Sequence, residues 1–184
     1  VATNQNDILH RAISKGKYEA EHVSETISPS MDIQIASNFE RLIYDLNNHD
    51  SSQTLDDMKN IKQNGKYTID VEKLKKINQD FLSARISEQE TLDVIKNIYE
   101  KFNMVLDPHT AIGYGAFDKH DLKGNNIVLA TAHPCKFPDA ILKAINLKSD
   151  LPDELKFILD EKENYGIIEN NLKEIKQYIL GKIK

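Results

Sequence analysis

The chain has 184 residues, 40% of them hydrophobic and 29% charged, a composition typical of a folded globular protein and unlike that of a disordered one. Its formal net charge of −5 argues against a nucleic-acid partner, because phosphate binding needs a basic surface. No apolar run approaches the roughly 20 residues that would cross a membrane. The single cysteine, Cys135, cannot form an internal disulfide, which predicts a reducing, cytoplasmic location.

The first residues look like the end of a strand, and the chain does not start with methionine. We therefore expect the later part of a larger protein. A helix is predicted from the cap Asn6–Asp7 through Lys15, with Gly16 as its end. The next helix is predicted to start at a capping box, Ser37–Glu40, and to run through Leu46.

Residues 47–103 are polar and are predicted to be mostly helical. Asn47–Gln53 is predicted to be a mobile surface loop. Apolar periodicity and end signals predict three helices in the rest of this region, at Thr54–Asn64 (ended by Gly65), Asp70–Leu82 and Ser87–Phe102. The third begins with another capping box, Ser87–Glu90.

Two short apolar runs, Met104–Leu106 and Ile127–Ala130, predict strands. Helices are predicted between and after them, at His109–His120, Asp139–Asn146, Asp153–Lys162 and Glu169–Ile183. This alternation of strands and helices predicts parallel α/β units with a helical appendage.

In an open parallel sheet, ligands bind beyond the carboxyl ends of the strands. This rule selects three segments, Thr3–Asp7, Asp107–Thr110 and Thr131–Pro134. Two of them lead directly into a predicted helix, whose free N–H groups suit an anion. The six histidines show no metal-ligand spacing and one cysteine cannot build a zinc site, so we predict no metal centre.

Five motifs follow one another between residue 1 and about residue 145. They are Val1–Asn4 with Asn6–Asp7, Ser28–Asp32, Ser37–Leu42, Asp107–Ala111, and Thr131–Pro134 with Lys136–Phe137. In this order and spacing, the motifs resemble those of the threonine synthases, which belong to the tryptophan-synthase-β-like class of pyridoxal phosphate (PLP) enzymes.

The resemblance implies an α/β fold with part of the parallel sheet of a PLP-dependent fold type II enzyme and a large helical appendage. Residues 1–46 and 104–147 would then belong to the PLP-binding α/β domain. Residues 47–103 would form a helical insertion, and residues 148–184 would form carboxyl-terminal helices. We therefore expect the carboxyl-terminal part of such an enzyme.

The resemblance also implies an activity, the conversion of O-phospho-L-homoserine and water to L-threonine and phosphate with PLP. Thr131 is implied as the cofactor contact, because a Ser or Thr at that strand end in this class donates a hydrogen bond to the pyridine nitrogen. A hydroxyl donates without carrying charge, so the ring nitrogen can stay neutral. The alternative is a threonine that ends a strand and bonds nearby backbone.

Two candidate substrate contacts, Asn38 and Arg41, match the Asn-x-x-Arg motif of the family. The guanidinium of Arg41 suits a carboxylate or phosphate. The alternative is a solvated charge or an ion pair with Asp45, one helical turn further on.

The remaining candidates also have structural alternatives. Ser28, like Ser30, suits the carboxylate of the substrate or stabilises a turn. His109 suits a phosphate at the start of a helix or contributes to the cap of that helix. Lys136 suits a phosphate, although most lysines in the chain are surface charges.

Two parts of the family's active site have no counterpart in this sequence. They are the Schiff-base lysine and the glycine- and asparagine-rich loop that holds the cofactor phosphate, and both lie upstream in the family. We therefore expect no turnover by this chain alone, and its expected partner is the missing N-terminal part of the enzyme. The alternatives are a threonine-synthase-like phospho-lyase and a non-catalytic binding or assembly domain that retains the fold.

Overall fold

The computed structural model describes residues 1–183. The chain divides into two compact units, Val1–Asp150 and Leu151–Lys184. In chain order, the first unit contains β1 (Ala2–Thr3), α1 (Ile8–Lys15), β2 (Lys17–Glu19), α2 (Phe39–Leu46), α3 (Ser51–Asn64), β3 (Lys66–Thr68), α4 (Val71–Asp80), β4 (Ala84–Arg85), α5 (Glu88–Phe102), α6 (Pro108–Asp118) and α7 (Pro138–Ile145). The second unit contains a 3₁₀ helix (Asp153–Leu159) and α8 (Leu172–Lys182).

The strands of the first unit form two pairs. β1 and β4 are parallel, with Ala2 opposite Ala84 and Thr3 opposite Arg85. β2 and β3 are antiparallel, with Tyr18 opposite Tyr67. The predicted α/β class, with a small parallel sheet and many helices, is therefore confirmed.

The largest apolar core lies among α1, α2, α3 and α4. Its buried members include Ile8, Ile43, Ile61 and Ile77. Tyr18 stacks on Phe39 with the ring centroids 4.9 Å apart and the planes 6° from parallel. The early helices therefore share one core with helices of the predicted insertion.

A second group of helices packs around α6. Ile95 of α5, Ala111 of α6 and Ile141 of α7 are each 0% exposed. Gly115 lets α5 and α6 approach closely, because a Cβ added to it would lie 3.3 Å from a methyl group of Val94. The body of α6 is thereby fixed from two sides.

Most predicted helices are confirmed to within a few residues. The two glycine ends are confirmed as well, since Gly16 and Gly65 end α1 and α3 with φ of 69° and 68°. The capping box at α5 forms as predicted, with the Ser87 N–H donating to the Glu90 carboxylate over 2.7 Å. In the second unit, Asp153–Leu159 is a 3₁₀ helix and α8 starts at Leu172, later than predicted.

Both predicted strands are wrong, because neither Met104–Leu106 nor Ile127–Ala130 is a strand. Within residues 1–183 neither segment has a neighbouring strand to pair its backbone N–H and C=O groups. Ile127 and Leu129 are instead 88% and 75% exposed. The apolar composition of the two segments does not reveal that they lack a neighbouring strand.

Two local predictions around α2 are also corrected. The capping box at Ser37–Glu40 does not form, because Asn38 already has a helical backbone (φ −69°, ψ −17°) and no side chain caps the helix. The predicted loop Asn47–Gln53 is shortened, because α3 starts at Ser51 with Asp50 as its cap. Asn47 is only 4% exposed and donates to the hydroxyl of Thr54.

One ion pair joins the start of α5 to the end of α6. Lys119 Nζ lies 2.7 Å from Glu90 Oε1. This hydrogen bond, followed by those from the N–H and hydroxyl of Ser87, lowers the pKa of Glu90 from 4.5 to about 2. A depressed carboxyl pKa contributes stability above about pH 4.5 that is lost as the pH falls towards 2.

We expect Glu90→Gln to lower the free energy of unfolding at pH 7 by about 0.5–1 kcal/mol, since the pair is partly exposed. The difference from the native chain should shrink between pH 4.5 and pH 2, where Glu90 takes up its proton. Urea unfolding followed by circular dichroism across this range measures both effects. Glu100→Gln, which removes a looser pair with Lys96 (3.9 Å) on the same helix, is the matched control. An unchanged pH dependence in Glu90→Gln would contradict the assignment.

Candidate functional site

An open cleft of about 780 Å³ is lined by α6 and by the segment 126–132, which contains neither helix nor strand. Four residues singled out from the sequence, Ser30, His109, Thr131 and Lys136, line it together with apolar groups such as Phe137. Of the five primary site residues predicted from the sequence, the cleft therefore unites two, Thr131 and His109. The other three, Ser28, Asn38 and Arg41, do not line it.

The start of α6 is organised by a buried carboxylate. Asp107 is 1% exposed and caps the helix. Its Oδ1 accepts from the backbone N–H of His109 over 2.9 Å and from the ring Nδ1 of His109 over 3.0 Å. Its Oδ2 accepts the hydroxyl proton of Thr110. Several donors thus offset the cost of burying the carboxylate.

Both ring nitrogens of His109 are engaged. Nε2 accepts from the backbone N–H of Ser30 over 3.3 Å, so the ring proton is on Nδ1, where it is donated to Asp107. The ring also packs on Phe137 with the centroids 4.7 Å apart. His109 is therefore held in place through both ring nitrogens, with no free donor for a phosphate unless the contact with Ser30 opens.

Thr131 is exposed and lies at the cleft, next to the start of α6. Its backbone N–H donates to Thr110 Oγ1 over 3.0 Å, and its own Oγ1 lies 3.4 Å from the same oxygen. The second distance is too long for a strong bond between hydroxyls. The hydroxyl of Thr131 is therefore free to donate to a ligand in the cleft.

Ser28 belongs to a buried polar cluster behind the cleft. It is 1% exposed, and its Oγ lies 3.0 Å from both Asn4 Nδ2 and Thr26 Oγ1. Asp32 completes the cluster by accepting from Asn4 over 2.7 Å and from Thr26 over 2.7 Å. Direct contact between Ser28 and a substrate would require the cluster to open, whereas a role in the turn before Pro29 fits this geometry.

Asn38 and Arg41 line a separate groove of about 710 Å³ between α2 and the start of α3. Both side chains are exposed. Among residues 1–183 no carboxylate lies within ion-pair distance of Arg41, and Asp45 contacts His49 Nε2 at 3.0 Å instead. The ion pair with Asp45 is therefore absent, and the guanidinium is available to an anion.

Sequence reasoning missed the roles of Asp107 and Thr110. The pattern Asp-Pro-His-Thr carries a signal for the cap, since an acidic residue before a proline at the first helical position is typical of a helix start. The same pattern carries no signal for the contact between Thr110 and Thr131, because these residues are 21 positions apart in the sequence. A neutral hydroxyl donor aimed at a cleft suits an uncharged acceptor such as an aromatic nitrogen.

Across residues 1–183, no three His, Cys, Asp or Glu side chains are placed to hold a metal ion together. In the same range, every helix is too short or too polar to cross a membrane.

Comparison with known proteins gives consistent matches. A family model described as "Threonine synthase, C-terminal" matches residues 110–179. The threonine synthase of Pseudomonas aeruginosa is 35% identical over 182 residues, which cover 97% of this chain and 39% of that protein. The threonine synthase of Saccharomyces cerevisiae is 39% identical over 195 residues, covering 92% of this chain and 38% of that protein.

The structural comparison agrees. The crystal structure of PLP-bound threonine synthase from Brucella melitensis matches with a TM-score of 0.84 and 40% identity, over 97% of this chain and 39% of that chain. The chain therefore spans about two fifths of the length of the relatives that it matches. It belongs to the threonine synthase family and matches that family's carboxyl-terminal region.

Proposed function

We propose that this chain is the carboxyl-terminal part of a threonine synthase that converts O-phospho-L-homoserine and water to L-threonine and phosphate with PLP. Similarity along 97% of the chain supports the family. The observation that carries the proposal within the site is the exposed hydroxyl of Thr131, which lies at the cleft without a strong partner. The proposed partner is the remainder of the enzyme, which corresponds to the three fifths of the relative's length that this chain does not cover.

The residues at the cleft fit the pyridine end of PLP. Thr131 would hold the ring nitrogen as a neutral donor, which favours an unprotonated nitrogen, whereas a carboxylate there would favour a protonated one. PLP, when bound, supplies an electron sink for charge that develops on the substrate. Phe137 and other apolar groups line the same cleft as Thr131.

Arg41 is the proposed anchor for an anionic group of the substrate. Its guanidinium has no carboxylate partner within residues 1–183, and the groove that it lines also contains Asn38 and Ser51. A guanidinium binds phosphate or carboxylate through two parallel hydrogen bonds. His109 and Ser28 are proposed to stabilise the segments around the site through their hydrogen bonds. Either side chain would contact the substrate directly only if these hydrogen bonds opened.

We also propose that the chain alone does not turn over substrate, because it has no counterpart of the Schiff-base lysine or of the phosphate-binding loop. The purified chain mixed with PLP should retain no PLP absorbance after gel filtration. The complete polypeptide, treated in the same way, should retain PLP. A protein-bound PLP band in the chain alone would contradict this expectation.

In the complete polypeptide, Thr131→Ala should lower kcat about tenfold, the cost of one hydrogen bond to the cofactor, whereas Thr131→Ser should keep most of the activity. Assays of threonine and phosphate released from phosphohomoserine measure this. Thr68→Ala, an exposed change on β3, is the control and should be unaffected.

The products also separate the alternatives. Threonine and phosphate in equal amounts support the proposal. A 2-oxo acid with ammonia would instead identify a phospho-lyase. No PLP binding and no product from the complete polypeptide would indicate a binding or assembly domain and would overturn the proposal.

A further inference from the structure

Two side chains and one backbone N–H form a chain of hydrogen bonds that runs from the interior of the protein to the cleft. Asp107, 1% exposed, accepts the hydroxyl proton of Thr110. The oxygen of Thr110 accepts the backbone N–H of Thr131 over 3.0 Å. Thr110 is itself only 5% exposed, so water has little access to compete for these bonds.

The hydrogen bond from Thr110 to Asp107 determines the direction of the contacts between Thr110 and Thr131. A threonine hydroxyl has one proton to donate and two lone pairs to accept with. Because the proton of Thr110 is given to Asp107, Thr110 can only accept from Thr131. The 3.4 Å contact between the two hydroxyls therefore cannot have Thr110 as its donor, and because it is too long for a strong bond, the single proton of Thr131 stays available to another acceptor.

The bond also holds a segment that has no sheet to hold it. Within residues 1–183 the segment 127–130 pairs with no other strand. Val128 lies over α6, where a Cβ added to Gly113 would be 3.5 Å from Val128 Cγ1. The N–H of Thr131 then ties the end of the segment to the first turn of the helix.

We propose that Asp107 and Thr110 are positioning residues that dock the backbone of Thr131 on α6 and leave the Thr131 hydroxyl as a hydrogen-bond donor to an uncharged ring nitrogen in the cleft. The identity of the ligand in this inference rests on the proposed function. The hydrogen-bond geometry does not depend on it. The two parts can therefore be tested separately.

The geometry is tested in the chain itself by amide hydrogen exchange read by NMR. Thr110→Val keeps the shape of the side chain and removes the acceptor, so exchange of the Thr131 N–H should rise roughly tenfold. Thr110→Ser keeps the hydroxyl and should restore slow exchange. Thr91→Val, which removes another buried threonine hydroxyl on the neighbouring helix α5, is the matched control and should change nothing at Thr131. Equal exchange in Thr110→Val and the native chain would overturn the proposal.

The variant Asp107→Asn separates two roles of Asp107, the positioning of Thr131 and the capping of α6. It is also the second test of the proposal if Thr110→Val does not fold. The amide oxygen of asparagine can still cap α6, but its NH₂ group cannot accept the Thr110 proton, so the bond that fixes the orientation of the Thr110 hydroxyl towards the Thr131 N–H is lost. Exchange should then rise at Thr131 and stay unchanged within α6. A rise throughout α6, or no rise at Thr131, would show that Asp107 only caps the helix and would overturn its role.

The ligand part is tested in the complete polypeptide loaded with PLP that is ¹⁵N-labelled in the ring. The native ring nitrogen should resonate as an unprotonated nitrogen, and Thr110→Val should shift this signal while Thr110→Ser does not. A protonated ring nitrogen, or the same signal in Thr110→Val as in the native protein, would overturn the proposal. Failure of the native polypeptide to bind PLP at all would overturn the proposed function, leaving the exchange result in place.

Discussion

The hydrogen bonds of the Asp107 carboxylate hold together three segments that are far apart in the sequence. One oxygen takes the ring proton of His109, whose other nitrogen accepts the N–H of Ser30. The second oxygen takes the proton of Thr110, whose oxygen accepts the N–H of Thr131. The loop before the cleft, the start of α6 and the segment that carries Thr131 therefore share one buried anchor. A buried carboxylate without these donors would be strongly destabilising, so the group and its partners are stable only together.

The helices explain why this anchor is rigid. α6 is packed against α5 and α7, and the glycine at 115 allows close contact with α5. The other side of the cleft is different, because Ile127 and Leu129 are largely exposed on a segment without strand partners. The start of α6 is well packed, whereas the segment that carries Thr131 has no strand partner. The single hydrogen bond from the Thr131 N–H to Thr110 therefore contributes strongly to the position of that segment.

The sequence predicted several parts of the fold that depend on local chemistry, although the equally local capping box at Ser37–Glu40 was wrong. Gly16 and Gly65 as helix ends and the capping box at Ser87 involve residues within a few positions of one another. The strand at Ile127–Ala130 was wrong because a strand depends on a neighbour, which composition does not reveal. Thr131 was identified as the end of an apolar run, but Thr110 was missed because their contact is tertiary. The motifs also gave no sign that Arg41 and Thr131 lie in two different grooves of this chain.

We propose that the Thr131 hydroxyl donates a hydrogen bond to the ring nitrogen of PLP. A crystal structure of the complete polypeptide with PLP tests this most directly, through the distance between Thr131 Oγ1 and the ring nitrogen. We expect a separation of roughly 2.6–3.2 Å, with Thr110 still accepting the N–H of Thr131. A carboxylate at the ring nitrogen, or a Thr131 side chain turned away from it, would refute this assignment.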